Sequence, residues 1–183
     1  MAEGRLDAGV GKSADAARPA VVAVVGRSGS GKTTLIERLV PLLVGRGLRV
    51  ATVKQTAGFE IDVPGKDSWR HGAAGAAAYA VASPASLAYV ESQSTETDLA
   101  AIVARFFGGF DVVLCEGYRR EAATTVEVFR EATRHDRPLC GEGEAAALVT
   151  DAPVAHERRF APDDAGGLAD FLVDLLRLDD RTR

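Results

Sequence analysis

The sequence predicts an α/β fold, a mostly parallel sheet with flanking helices, on three observations. The apolar run Ala20–Val25 leads directly into Gly26-Arg-Ser-Gly-Ser-Gly31-Lys32-Thr33 and then into a helical pattern. A second apolar run, Val112-Val-Leu-Cys, ends in the acid Glu116. Short apolar runs alternate with amphipathic stretches along the chain, the order that lays helices over the faces of a parallel sheet.

The elements follow in sequence. Ala20–Val25 is apolar throughout, as a strand covered on both faces requires. The spacing G-x-x-x-x-G-K-T after it is that of the phosphate-binding loop, in the strand-to-helix context this loop needs. Its glycines, Gly26, Gly29 and Gly31, let successive N–H groups form one concave nest around phosphate oxygens, with Ser30 between them. The helix opening at Lys32 adds its positive dipole end, and Thr34 lies in its first turn. Lys32 supplies a mobile charge for the β- and γ-phosphates, and the Thr33 hydroxyl is placed to ligate Mg²⁺. The chain therefore reads as a P-loop NTPase that binds a nucleoside triphosphate.

The first helix, Lys32 to about Val44, has Leu35, Leu39, Leu42 and Leu43 as its apolar stripe. Pro41 inside it predicts a kink, and Gly45 and Gly47 end it. A strand over residues 49–54 and an irregular stretch over 55–66 come next. A helix from Asp67 to about Ala78 is expected, with Asp67 or Ser68 as N-cap. Ala78–Ala82 and Leu87–Glu91 read as two short strands around Ser83-Pro84, a small extra β element. A helix over 98–107 is closed by Gly108-Gly109, and a buried strand over 111–115 runs into Glu116-Gly117. Residues 125–129 and 146–149 are further strands. Asp163 or Asp164 caps a last helix whose Leu168, Phe171, Leu172, Leu175 and Leu176 recur at i, i+3, i+4, i+7 and i+8.

Residues 1–19 are rich in alanine, glycine and charge without periodicity, and read as a disordered leader. Gly11-Lys12-Ser13 imitates the end of a phosphate loop, but Leu6 stands where the first glycine belongs and no strand precedes it. Residues 20–183 then form a single nucleotide-binding domain, and there is no internal repeat. At 183 residues the chain buries roughly 70% of its unfolded surface and needs no disulfides. The net charge of −4 argues against a nucleic-acid or anionic-membrane binder. No apolar run approaches the ~18 residues of a membrane span, and the N-terminus has no secretory apolar core, so the chain reads as cytoplasmic. Cys115 and Cys140 sit in no metal-ligand spacing, and Cys115 reads as a small buried hydrophobe.

Glu116 completes the second half of the nucleotide site. An acid at the end of a buried strand lies beside the loop, where it can hold a Mg²⁺ water or orient the attacking water. The segment Asp62-Val-Pro-Gly-Lys66-Asp67-Ser68 admits two readings: a solvated turn before a helix, or a switch-like contact to Mg²⁺ and the γ-phosphate. No Asn-Lys-x-Asp motif reads guanine. Asp151, after the strand over 146–149, could present a carboxylate to the N1–H and N2–H₂ donors of guanine; an acidic turn before Pro153 is the other reading.

Five stretches together resemble one family. They are residues 26–34, Val53-Lys54 with Phe59-Glu-Ile-Asp62-Val-Pro-Gly-Lys-Asp-Ser68, Ala73-Ala-Gly-Ala76, Leu114-Cys-Glu-Gly-Tyr118 and Gly167-Leu-Ala-Asp-Phe171. The family is that of the molybdopterin-guanine dinucleotide biosynthesis adapter proteins, MobB, and the Asp-x-Pro-Gly-Lys-Asp-Ser segment is the most specific part. The resemblance implies a GTP-binding adapter with weak Mg²⁺-dependent GTPase activity. Its implied partners are a molybdopterin guanylyltransferase and a molybdenum-insertion protein, and it implies a homodimer. The residues carried over are Gly26, Gly29, Ser30, Gly31, Lys32, Thr33 and Thr34 for the nucleotide, Thr33, Asp62 and Glu116 for the metal, and Lys32, Glu116 and Asp62 for hydrolysis. Residues 55–58 depart from the family, whose members often carry histidines there. The alternative from another class is a small-molecule kinase on the same loop, with Arg119, Arg120, Arg130, Arg134 and Arg137 as candidate lid cations.

Overall fold

Runs rich in valine and alanine extend most readily where both faces of a strand are covered, and such runs form the middle of a six-stranded sheet here. The computed structural model describes residues 18–141 and 143–181. The leader expected over 1–19 lies outside the described residues as far as residue 17. In order, the elements are β1 (Ala20–Val25), α1 (Lys32–Val44), β2 (Val50–Lys54), α2 (Asp67–Ala73), β3 (Ala78–Ala82), β4 (Leu87–Glu91), α3 (Leu99–Phe106), β5 (Val112–Glu116), β6 (Thr124–Phe129), β7 (Ala147–Thr150), β8 (Arg159–Phe160) and α4 (Ala165–Leu176). The chain divides into two compact units, one formed by residues up to Gln55 with those from Asp98 on, the other by Thr56–Thr97.

The first unit is a six-stranded sheet in the order β2-β5-β1-β6-β7-β8, with every pairing parallel. β1 lies inside it, with Val24 opposite Glu116 of β5 and Val25 opposite Glu127 of β6. One face packs on α1 and α4 through Val22, Val24, Leu39, Leu43, Leu114, Val126, Leu168 and Leu172. The other packs on α3 through Ala51, Leu99, Val103, Val113 and Cys115. Leu39 is fully enclosed, so truncating it to alanine should cost about 2–5 kcal/mol. Helix α1 runs through Pro41 unbroken and gives up the hydrogen bond for which proline has no N–H. Asp98 and Asp164 cap α3 and α4, their carboxylates accepting from the N–H groups of Ala101 and Gly167.

The chain at Leu139 and Cys140 passes beside β6. Glu127 holds it there. This glutamate is 1% exposed, and its two oxygens accept the N–H groups of Leu139 and Cys140. Nothing in the local pattern announces a buried acid in the middle of β6, because a strand glutamate is ordinarily read as facing solvent.

The second unit holds α2 and the antiparallel hairpin β3–β4, in which Tyr79 pairs with Val90 and Val81 with Ala88. Helix α2 ends earlier than the sequence suggests. Gly75, at φ 102°, donates to Gly72 O, and Ala76 N–H reaches back to His71 O, a glycine C-cap that overrides the helical preference of the alanines. Its N-cap is Lys66 rather than Asp67 or Ser68, and no side chain caps it. Among the described residues of this unit none is buried, and Phe59, Ile61, Val63, Trp69, Val81 and Leu87 are exposed.

Candidate functional site

The loop between β1 and α1 takes its shape from three glycines. Gly26, Gly29 and Gly31 have φ of 145°, 74° and 97°, a region that other residues enter only with strain. A Cβ on Gly26 would stand 2.3 Å from Val128 O of the neighbouring β6, so that strand also demands glycine here. Around Gly29 and Gly31 there is open space, where the nest faces outward. Gly31 is the N-cap of α1 with no capping side chain and no acid in the first turn, which leaves the positive end of the helix to a ligand. Ser30 is 2% exposed, and its hydroxyl has no hydrogen-bond partner among the described residues.

Lys32 folds back over the loop, its ammonium donating to Arg27 O at 2.9 Å. Thr33, one residue on, turns toward β5, and its hydroxyl donates to Glu116 Oε2 at 2.8 Å. The other carboxylate oxygen of Glu116 lies 3.4 Å from the Lys54 ammonium. The sheet register accounts for this triad: Glu116 ends β5, Lys54 ends β2 directly opposite it, and β1 on the other side delivers Thr33 from the loop. Lys54 was legible as a strand end and as part of the family resemblance; its pairing with Glu116 is a product of strand order. Gln55, next to it, accepts Tyr118 N–H at 3.0 Å and so fastens β2 to the turn after Glu116.

A hydroxyl and a carboxylate, both oxygen donors, are the kind of protein ligand Mg²⁺ uses when nucleotide phosphates supply the rest. Among the described residues no group of three or more His, Cys, Asp or Glu could cage a metal by itself. The donor set fits a metal that arrives with its nucleotide.

The structure therefore brings Gly26, Gly29, Ser30, Gly31, Lys32, Thr33 and Thr34 together with Glu116. Asp62 belongs to the second unit and is described within it. Its Oδ1 accepts Val63 N–H at 2.8 Å, and the neighbouring Tyr79 phenol is held above its usual range, by burial first and then by the Asp62 charge. Two of the arginines considered as lid cations are already paired. Arg119 donates to Glu144 at 2.8 Å, and Arg130 to Asp151 at 2.8 Å. Asp151 also accepts Glu131 N–H; that bond first, and Arg130 second, hold its carboxyl below the ordinary aspartate range.

A family profile described as "Molybdopterin guanine dinucleotide synthesis protein B" (MobB) matches residues 21–151. A "Molybdopterin-guanine dinucleotide biosynthesis adapter protein" of Escherichia coli strain K12 is 34% identical over 157 residues, 82% of this chain and 89% of that protein. One of the same description from Haemophilus influenzae is 31% identical over 159 residues, 85% of this chain and 89% of that protein. The crystal structure of a molybdopterin-guanine biosynthesis protein B superposes with a TM-score of 0.67 at 34% identity, covering 86% of this chain and 99% of that one. No helix among the described residues is long and apolar enough to cross a membrane.

Proposed function

The chain belongs to the MobB family, and from that membership we propose that it is a cytoplasmic GTP-binding adapter in the making of molybdopterin-guanine dinucleotide, with weak Mg²⁺-dependent GTPase activity. The observation that carries the reading is the Thr33–Glu116 bond over a loop of three positive-φ glycines. The backbone N–H groups of residues 29–34 and the Lys32 ammonium would hold the phosphates. Lys32 is then released from Arg27 O, exchanging a neutral acceptor for a charged one. Thr33 and Glu116 would hold Mg²⁺, which when bound neutralises charge on the β- and γ-phosphates. Glu116, kept in place by Lys54, orients the attacking water. Asp62 is proposed as a further acid of this chemistry on the strength of the family resemblance.

The proposed partners are the guanylyltransferase that joins GMP to molybdopterin, a molybdenum-insertion protein, and a second copy of this chain. The exposed apolar residues of the second unit support the last. A two-stranded sheet is marginal alone, and its outer edges and apolar side chains favour covering by another chain. The kinase alternative needs free cations on a lid, and Arg119 and Arg130 are each tied to an acid.

The test mixes molybdopterin, GTP and Mg²⁺ with this protein, with the transferase, and with both. A gain in dinucleotide over the transferase alone at limiting GTP is expected. Dinucleotide formed by this protein alone would overturn the adapter reading, and no gain would leave a GTP-binding protein without that role.

A further inference from the structure

Strand alternation sends Val126 and Val128 of β6 into the core with α1 and α4, so Thr125 and Glu127 face the opposite side of the sheet. The chain leaves β5 at Gly117, whose φ of 99° and bond to Val24 O turn it back, and it begins β6 with Thr124 beside Val22. A cleft of about 470 Å³ opens there, within the roughly 300–1,000 Å³ of small-molecule sites. Arg119, Arg120, Thr125, Cys140 and Glu144 line it, and no residue of the loop 26–34 does. All of it lies in the first unit.

The polar groups of this cleft are unevenly spent. Thr125 is 6% exposed, and its hydroxyl has no hydrogen-bond partner among the described residues. Arg120 forms no ion pair or hydrogen bond among them. Arg119 commits Nη2 to Glu144 at 2.8 Å and keeps other N–H groups of its guanidinium. Glu144 accepts Arg119 and Gly141 N–H on the same oxygen, Oε2, which leaves Oε1 as an acceptor. Glu127, buried beside the cleft, is already satisfied by the N–H groups of Leu139 and Cys140 and by the Cys140 thiol. The cleft thus offers spare donors from two arginines, a spare carboxylate oxygen and a buried hydroxyl.

We propose that this cleft is a second ligand site, for a phosphate monoester that carries a 2-amino-4-oxopyrimidine edge. Arg120 and the spare N–H groups of Arg119 take the phosphate, whose oxygens match the planar guanidinium fork. A plain dianion would meet Glu144 as well as the arginines. A ligand with donors at its far end turns that acid into a partner: a ring N–H beside an amino group is the kind of donor edge that a carboxylate accepts. The Thr125 hydroxyl, both donor and acceptor, fixes the ligand between the two ends. Ala122 and Ala123 line the cleft as well, and their methyls suit a flat ring better than a polyol. Pterin phosphates and guanosine monophosphate both have this chemistry.

The experiment is a calorimetric titration with the monophosphate of neopterin, with neopterin, with GMP and with inorganic phosphate. At least one of the two monoesters should bind the parent roughly 10- to 100-fold more tightly than inorganic phosphate, and the tighter one identifies the source. Arg120→Ala should lose that ligand by a similar factor and bind neopterin and its phosphate alike. Glu144→Gln should lose it while leaving inorganic phosphate unchanged, and Thr125→Val should weaken it. Lys32→Ala should bind it as the parent does, which separates the cleft from the phosphate loop. GTP with Mg²⁺ should bind Arg120→Ala as it binds the parent, which reports that the variant is folded. A parent that binds neither monoester, or binds inorganic phosphate as tightly as both, overturns the proposal. So does a ligand lost in Lys32→Ala and kept in Arg120→Ala. The loop reading is tested apart from these results, by the GTP titration of the parent.

Discussion

The Lys32 ammonium rests 2.9 Å from a carbonyl of its own loop, and no core contact depends on it. Lys32→Ala should therefore keep the melting temperature of the parent and weaken GTP binding by about 10- to 100-fold, the range expected for losing a charge-assisted contact; calorimetric titration beside a thermal melt measures both. Glu116 and Asp62 are proposed to matter most when charge develops on the γ-phosphate. Glu116→Gln and Asp62→Asn should slow Mg²⁺-dependent hydrolysis more than they weaken GDP binding, and unchanged turnover in both would return these acids to structural roles. The two thiols give a pH dependence. Burial pushes Cys115 up to about 12 from 9.0, with the Glu121 charge adding to it, and burial with Glu127 pushes Cys140 up to about 12. Both thiols keep their protons in the folded state at pH values where the unfolded chain loses them. Their contribution to stability is thus complete below about pH 9 and is lost as the pH climbs toward 12. Urea unfolding at pH 8 and pH 10.5 should show a fall in the parent that is smaller in Cys115→Ala.

Helix α1 is the element with one residue out of keeping with its conformation. Pro41 is exposed on its outer side and leaves one turn without its hydrogen bond. Pro41→Ala should stabilise the protein by about 2 kcal/mol after the added freedom of the unfolded chain is allowed for. For a chain of this length that is a rise of roughly 4–8 °C in melting temperature. The cap of α4 was legible, as Asp163 or Asp164, because aspartate before an apolar run satisfies free N–H groups wherever the run occurs. The end of α2 was not, because Ala73-Ala-Gly-Ala-Ala-Ala reads as helix by propensity, and only the conformation of Gly75 ends it. β8, two residues long, has no pattern to read; it exists because β7 offers Leu148 and Val149 an edge to pair.

At the scale of the whole molecule the unit Thr56–Thr97 carries the largest consequence. Its apolar side chains are exposed, among them Leu87 at 74% and Phe59 at 71%. A single chain gives these residues no core, and a second copy is the proposed cover. Light scattering at micromolar concentration should return twice the 19.2 kDa chain mass, and Leu87→Glu should shift the population toward the monomer without changing GTP binding per chain. GTP with Mg²⁺ at about 100 times its Kd should add roughly 2.7 kcal/mol and raise the melting temperature by about 5–10 °C, with ATP giving less.

The sequence by itself determined the strand–loop–helix around Gly26–Thr33, the parallel character of the sheet and the family. Each of these rests on local physics: glycine spacing that permits a nest, apolar runs that demand two covered faces, and an aspartate cap before the last helix. Tertiary structure alone decided which distant residues meet. Thr33 reaches Glu116, 83 positions away, because β5 is neighbour to β1. Lys54 faces the same acid because β2 is the next strand out. Glu127 is buried because a loop without helix or strand pattern supplies its two donors. Arg130 and Asp151 form a pair because β6 and β7 end in register. Strand order and register are set by the packing of the whole sheet, and no window of sequence around any one of these residues contains them.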